Sequence, residues 1–147
     1  MSLFSRIPFN KKQIETAISR LELNSSAELR VYIERNVNHS FHSAYNRALE
    51  IFDNLAMGNT KLKNAVLIYI AHKDHQCAII GDIGIHQYVG DDFWRMQCDE
   101  MVSFFKANQY SLGIVRAIDQ IGEKLALYFP IQENDQNELD NEVIIND

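Results

Sequence analysis

Gly81-Asp82 closes an apolar run, and Asp91-Asp92 opens a helix-like pattern a few residues later; Gly84, His86 and Gly90 lie between them. Three carboxylates and three glycines within residues 81–92 suit a hard cation. Ca²⁺ takes about six to eight oxygen ligands from carboxylates, carbonyls and water, and glycine lets the backbone bring its carbonyls close. The spacing D-x-[DN]-x-[DN]-G is absent, so the stretch is not an EF-hand. A Mg²⁺ site made of one or two carboxylates plus water draws on the same residues, so they do not choose between the two ions. The same stretch also reads as plain helix chemistry. Asp91 suits an N-cap, Asp92 favours the positive end of a helix dipole, and Asp82 can close an Asx-turn.

The elements that position these residues follow from hydrophobic period. Ile14, Ala17, Ile18 and Leu21 predict a helix over 11–23, and Asn24-Ser25-Ser26 ends it. ELRVYIE at 28–34 alternates, with Leu29, Val31 and Ile33 on one face and Glu28, Arg30, Tyr32 and Glu34 on the other, as in a half-buried strand. Ala44, Ala48, Ile51, Phe52 and Leu55 predict a helix over 43–57 with Gly58 as its C-cap. AVLIYIA at 65–71 reads as a central strand, and CAIIG at 77–81 as its hairpin partner across HKDHQ. Residues 82–90 are expected as a loop, 91–107 and about 111–128 as helices, with Pro130 as the stop.

The order α-β-α-β-β-α-α predicts a small mixed parallel and antiparallel sheet between helices, an α/β/α sandwich. A helical connection makes the first two strands parallel, and the hairpin sets the third against them. The end of the third strand, Gly81-Asp82, then lies at the edge where the first two strands begin, beside Glu28 and Lys63-Asn64. Glu28, Asp82, Asp91 and Asp92 could then converge on that edge and are the candidate metal ligands, because converging carboxylates repel unless a cation sits among them; the helix-cap and Asx-turn reading of the three aspartates stays open beside this one.

Six of the twenty acids lie beyond Phe129, where there is no Lys or Arg; the remaining fourteen balance the fourteen bases. The chain divides into one domain over 1–131 and an acidic, mobile tail over 132–147, in which Val143-Ile144-Ile145 alone could dock. A neutral body without a basic stripe argues against nucleic acid, and the acidic tail against an anionic membrane surface. The longest apolar run, Ala65–Ala71, is far shorter than the ~20 residues of a membrane span. MSLFSRIPFNKK has no apolar core of a signal peptide, so a cytoplasmic location is expected. Cys77 and Cys98 read as reduced core thiols. His39-x-x-His42 and His72-x-x-His75 read as surface histidines, Ser25-Ser26 as a strand lead-in, and Tyr88 and Trp94 as core aromatics that could instead line a cleft. No P-loop or dinucleotide fingerprint is present.

Taken together, SSAELRVYI at 25–33, KNAVLIYIA at 63–71, AIIGDIGIHQYVGDDFW at 78–94 and LGIVRAIDQIGEKLALYFP at 112–130 resemble the TPM-domain family over about residues 11–130. NELDNEV at 137–143 is similar to its short bacterial branch. The resemblance implies an α/β/α sandwich, divalent-metal binding (calcium in particular) at an acidic sheet edge, and an acid phosphatase activity attributed to a plant member. It places Glu28 at the family's first-strand glutamate, Asp82 after the third-strand glycine, and Asp91 seven residues beyond the loop glycine, Gly84. His86 departs from the glutamate often found there in exported members. The expected function is a divalent-metal, calcium-binding module with an unidentified protein partner. The alternative is a metal-dependent acid phosphatase acting on phosphomonoesters, which the stretch 81–92 serves poorly because its nearest cations in sequence are Lys73 and Arg95. A scaffold without site chemistry is the third reading.

Overall fold

The computed structural model describes residues 8–37, 40, 43–132 and 143–146. Along them run α1 (Lys11–Asn24), β1 (Leu29–Glu34), α2 (Ala44–Asn54), β2 (Val66–Ala71), β3 (Gln76–Gly81), α3 (Ile83–Lys106), α4 (Tyr110–Tyr128) and β4 (Val143–Asn146). The sheet order is β3-β2-β1-β4, with β1 parallel to both β2 and β4, and β3 antiparallel to β2. Helices cover both faces, as the α/β/α reading expects.

Local chemistry sets the helix starts. The Asn10 side chain accepts a hydrogen bond from the Gln13 N–H at 3.0 Å, and the Ser43 hydroxyl one from the Asn46 N–H at 3.1 Å; both satisfy orphan donors of a first turn. Leu29, Val31, Ile33, Val66, Ile68, Ile70 and Ile79 point to one face of the sheet and pack against α1, α3 and α4. Leu67, Tyr69, Ala78 and Ile80 point to the other and pack against α2. The period of two along each strand thus feeds two cores.

Three expectations change. β1 is buried on both faces rather than half-buried: Glu28, Arg30 and Glu34 are each less than 9% exposed. A buried carboxylate needs compensation, and Glu34 receives it from Arg47 Nε at 2.9 Å, Arg47 Nη2 at 3.0 Å, the Tyr69 hydroxyl and Asn146. The hydrogen bond to Glu34 holds the Arg47 pKa above its ordinary value, and burial followed by that same carboxylate raises Tyr69. Second, α2 caps at Leu55 rather than at Gly58. Third, part of the segment taken as an acidic tail completes the sheet. Val143, Ile144 and Ile145 pair with Val31, Tyr32 and Ile33, and Val143 is buried. Three apolar, β-favouring residues meet an edge of β1 that would otherwise expose its backbone donors and acceptors. Residues 133–142 lie outside the described residues.

Candidate functional site

The antiparallel turn at β3 has the predicted consequence. Val66 pairs with Gly81, the Asp82 N–H donates to the Ala65 carbonyl at 2.9 Å, and the Val66 N–H donates to the Glu28 carbonyl at 2.9 Å. Glu28 and Asp82 therefore share one edge of the sheet. Lys63 shares it as well, because the Gly84 N–H donates to its carbonyl at 2.7 Å. The Lys63 ammonium donates to the Gly58 carbonyl. The fold thus keeps Lys63 at the edge where the topology expects it, whereas Lys73 sits in the turn at the far end of β2.

Residues 83–89 form a helical turn rather than a loop. Asp82 is its N-cap: Oδ1 accepts from the Ile83 N–H at 2.8 Å, and the Asp82 carbonyl accepts from Ile85 and His86. At Gly90 the backbone breaks to φ 76°, ψ 174°, and a second helical segment begins with Asp91 and Asp92. The seven helical residues 83–89 span about 10 Å of axis, so Asp91 stands beyond the kink, a segment away from Asp82. Asp91 is 82% exposed and lies 3.4 Å from His86 Nε2; Asp92 is 87% exposed and pairs with Arg95 at 2.9 Å. His86 Nδ1 accepts from the Trp94 indole at 3.0 Å. Two of the four anticipated ligands thus share an edge, while the other two stand at the kink. Among the described residues, no three His, Cys, Asp or Glu side chains form a group that could hold a metal.

The kink yields a test. A Cβ at residue 90 would meet open space, but its backbone lies in a region that only glycine occupies without strain. Gly90→Ala is expected to lower stability by about 1–3 kcal/mol in chemical denaturation. An unchanged midpoint would mean that the two segments straighten into one helix without loss.

At the edge itself, three buried polar atoms have no hydrogen-bond partner among the described residues: Asp82 Oδ2, Thr60 Oγ1 and Asn64 Nδ2. Thr60 and Asn64 are 6% and 2% exposed. They flank Lys63 on the segment that passes Asp82: a methyl added to Gly58 would stand 3.9 Å from Asp82 Oδ2. Asn64, with its amide turned by half a rotation, presents an oxygen instead of a donor. An unpaired carboxylate oxygen, a hydroxyl and an amide are hard-cation ligands, and buried groups of this kind ask for an ion or a water. Each of these groups is of a type that ligates a hard cation, while the four acids together do not make such a group among the described residues. Thr60 and Asn64 were invisible as candidates, since neither type signals metal on its own.

The remaining candidates sort by burial. His72 is buried rather than surface-exposed, with its ring edge-on to Phe9, and His75 sits in the hairpin turn. His39 and His42 lie outside the described residues. Ser25 is a clamp: its hydroxyl donates to the Phe129 carbonyl at 2.7 Å and ties the end of α1, just ahead of β1, to the end of α4. Trp94 is buried against Gly81, whereas Tyr88 is exposed and stacks on Tyr128 at 4.3 Å.

A mixed four-stranded sheet between helices, with a capped helix leaving an acidic edge, defines a compact α/β/α domain. Residues 5–124 match the TPM domain, and the chain belongs to the TPM-domain family. It is similar to the BA42 protein of the psychrophilic bacterium Bizionia argentinensis, known from an NMR structure, with 37% identity over 99% of this chain and 100% of that one, at a TM-score of 0.85. It shares its fold with the N-terminal domain of a P. gingivalis protein (17% identity, 86% and 83% of the two chains, TM-score 0.68). The same holds for an N-terminal domain from Corynebacterium glutamicum (11% identity, 78% and 70%, TM-score 0.56). Comparison with curated proteins gives no match. No helix among the described residues is long and apolar enough to cross a membrane.

Proposed function

We propose that this chain is a divalent-cation-binding module, selective for Ca²⁺ or shared with Mg²⁺, and that loading of the β2–β3 edge tunes its contact with a protein partner. The observation that carries the reading is the buried, unpartnered Asp82 Oδ2 together with Thr60 Oγ1. Asp82 is the central ligand, with Glu28 on the same edge; Asp91 and Asp92 at the kink form an outer, exposed pair. The exposed Tyr88–Tyr128 stack, on the helical turn that leaves the edge, supports a partner surface close by. A cation there relieves an unsatisfied carboxylate oxygen, so its binding favours the ordered edge.

The test is an amide NMR titration of metal-free protein with Ca²⁺ and then Mg²⁺. Saturable shifts are expected at 58–64 and 81–86 and should be lost in Asp82→Asn, which keeps a capping side chain and hence the helix start. Asp91→Asn and Asp92→Asn should weaken binding less than Asp82→Asn does. Amides that stay still up to ~1 mM Ca²⁺, the weak end for extracellular calcium modules, would defeat the reading.

Metal-dependent phosphomonoester hydrolysis is the second reading, favoured by the presence of Lys63 at the same edge. It predicts release of alcohol and inorganic phosphate from an aryl phosphate in the presence of the cation, and loss of that turnover in Asp82→Asn. Cation binding without turnover leaves the binding module alone.

A further inference from the structure

The two cysteines are twenty-one positions apart in sequence, yet the fold brings them together. Cys77 lies on β3, the outer edge strand, and Cys98 on the second segment of α3. The Cys77 thiol donates to the Cys98 carbonyl at 3.5 Å. Both side chains are partly exposed and reduced. Both line a cleft of about 530 Å³ whose walls include Tyr45, Trp94 and Asp99. Solvent and small molecules therefore reach a pair of thiols that the local sequence does not mark.

We propose that Cys77 and Cys98 form a reversible modification site, closing to a disulfide when hydrogen peroxide enters the cleft. A sulfur already within hydrogen-bond reach of the other cysteine's main chain needs little backbone movement to attain bridging distance. The two thiols play unequal parts. Hydrogen bonding with Cys98, followed by burial, raises the Cys77 pKa and keeps that thiol protonated. The Cys77 proton is engaged by the Cys98 carbonyl, whereas no such hydrogen bond holds the Cys98 thiol among the described residues, so Cys98 is assigned the attack on the peroxide.

Cys98 gives its proton to solvent and its sulfur takes the distal peroxide oxygen as the O–O bond breaks. This leaves a sulfenic acid and hydroxide, which picks up that proton as water. The Cys77 sulfur then attacks the sulfenic sulfur, the S–O bond breaks, and the departing hydroxide carries off the Cys77 proton as a second water. Two thiols lose two electrons in all, and one peroxide gains them. The bond would staple β3 to α3 next to Trp94, whose ring already rests on Gly81. The proposal does not depend on any cation at the sheet edge.

The experiment uses the whole reduced chain, treated with hydrogen peroxide, unfolded, alkylated with N-ethylmaleimide and weighed. The expected result is a monomer about 2 Da lighter with neither thiol alkylated, restored to two alkylated thiols by dithiothreitol. Its digest should contain one cross-linked peptide pair joining Cys77 to Cys98. In Cys77→Ser the same treatment should leave Cys98 as a sulfenic acid trapped by dimedone; in Cys98→Ser, Cys77 should stay reduced. Two alkylatable thiols after oxidation, a dimer linked between chains, or over-oxidation of Cys98 with Cys77 still free in the unmutated protein would each overturn the proposal.

Discussion

Arg47→Leu is expected to lower the free energy of unfolding by about 3–5 kcal/mol, as for other buried ion pairs that lose one partner. The Arg47 side chain is 14% exposed and that of Glu34 is 9%, so neither charge has water as a substitute. Arg47 lies over the Tyr32 ring and is bidentate to Glu34. Its removal leaves a buried carboxylate held, among the described residues, by Tyr69 and Asn146. Urea unfolding should show a lower midpoint at an unchanged slope. Arg47→Leu combined with Glu34→Gln should recover part of the loss, because the stranded charge goes with the second change. A single-variant loss under ~1 kcal/mol, the range of exposed pairs, would mean that Glu34 finds water or a proton after all.

The pH behaviour of this network has a definite sign. Arg47 and Tyr69 both have raised pKa values, so the stability they add is complete below their unfolded-state values and is lost only as pH rises through the folded ones. Of the two, Tyr69 has the lower ordinary value, about 10. The network therefore holds through neutral and mildly alkaline conditions, and loosens in strong alkali.

Gly84→Ala is expected to cost about 3 kcal/mol or more, at the upper end of overpacking. Its Cβ would lie 2.1 Å from the Leu62 carbonyl oxygen and 2.4 Å from that of Lys63. Both are backbone atoms, so no side chain can swing aside. The first turn of α3 would have to lift off the segment before β2, taking the Asp82 cap with it. Gly58→Ala is the control: its nearest neighbours stand at 3.9 Å, ordinary contact, and its midpoint should hold or rise slightly. If Gly84→Ala melts with the parent protein, the close approach of α3 to residues 62–63 does not exist in solution.

The sheet was legible because it rests on period. Alternation in ELRVYIE, the unbroken AVLIYIA and the short HKDHQ turn dictate a parallel pair plus a hairpin, and from these the meeting of Glu28 with Asp82 follows by geometry alone. The burial of β1's charged face was not legible, since it depends on Arg47, thirteen residues past Glu34 on another element. Residues 83–89 read as a loop because Gly84 and Gly90 look like breakers. The first is glycine for close packing against a neighbouring backbone, and only the second for its dihedral angles. Thr60, Asn64 and the cysteine pair gain meaning only from what the fold sets beside them, and no spacing rule anticipates that.

The strand β4 ties the last described residues to the C-terminal part of β1, with Asn146 reaching Glu34 across 112 positions of chain. Closing so large a loop is entropically demanding, and a four-residue strand paired to β1 alone, with Val143 and Ile145 on the core, offsets that cost only in part. Hydrogen-bonded turns and the β2–β3 hairpin form locally and fast, whereas this pairing must wait for a framework to dock on. β4 is therefore expected to dock last and to exchange its amide hydrogens before those of β1 and β2, which native-state hydrogen exchange reads directly.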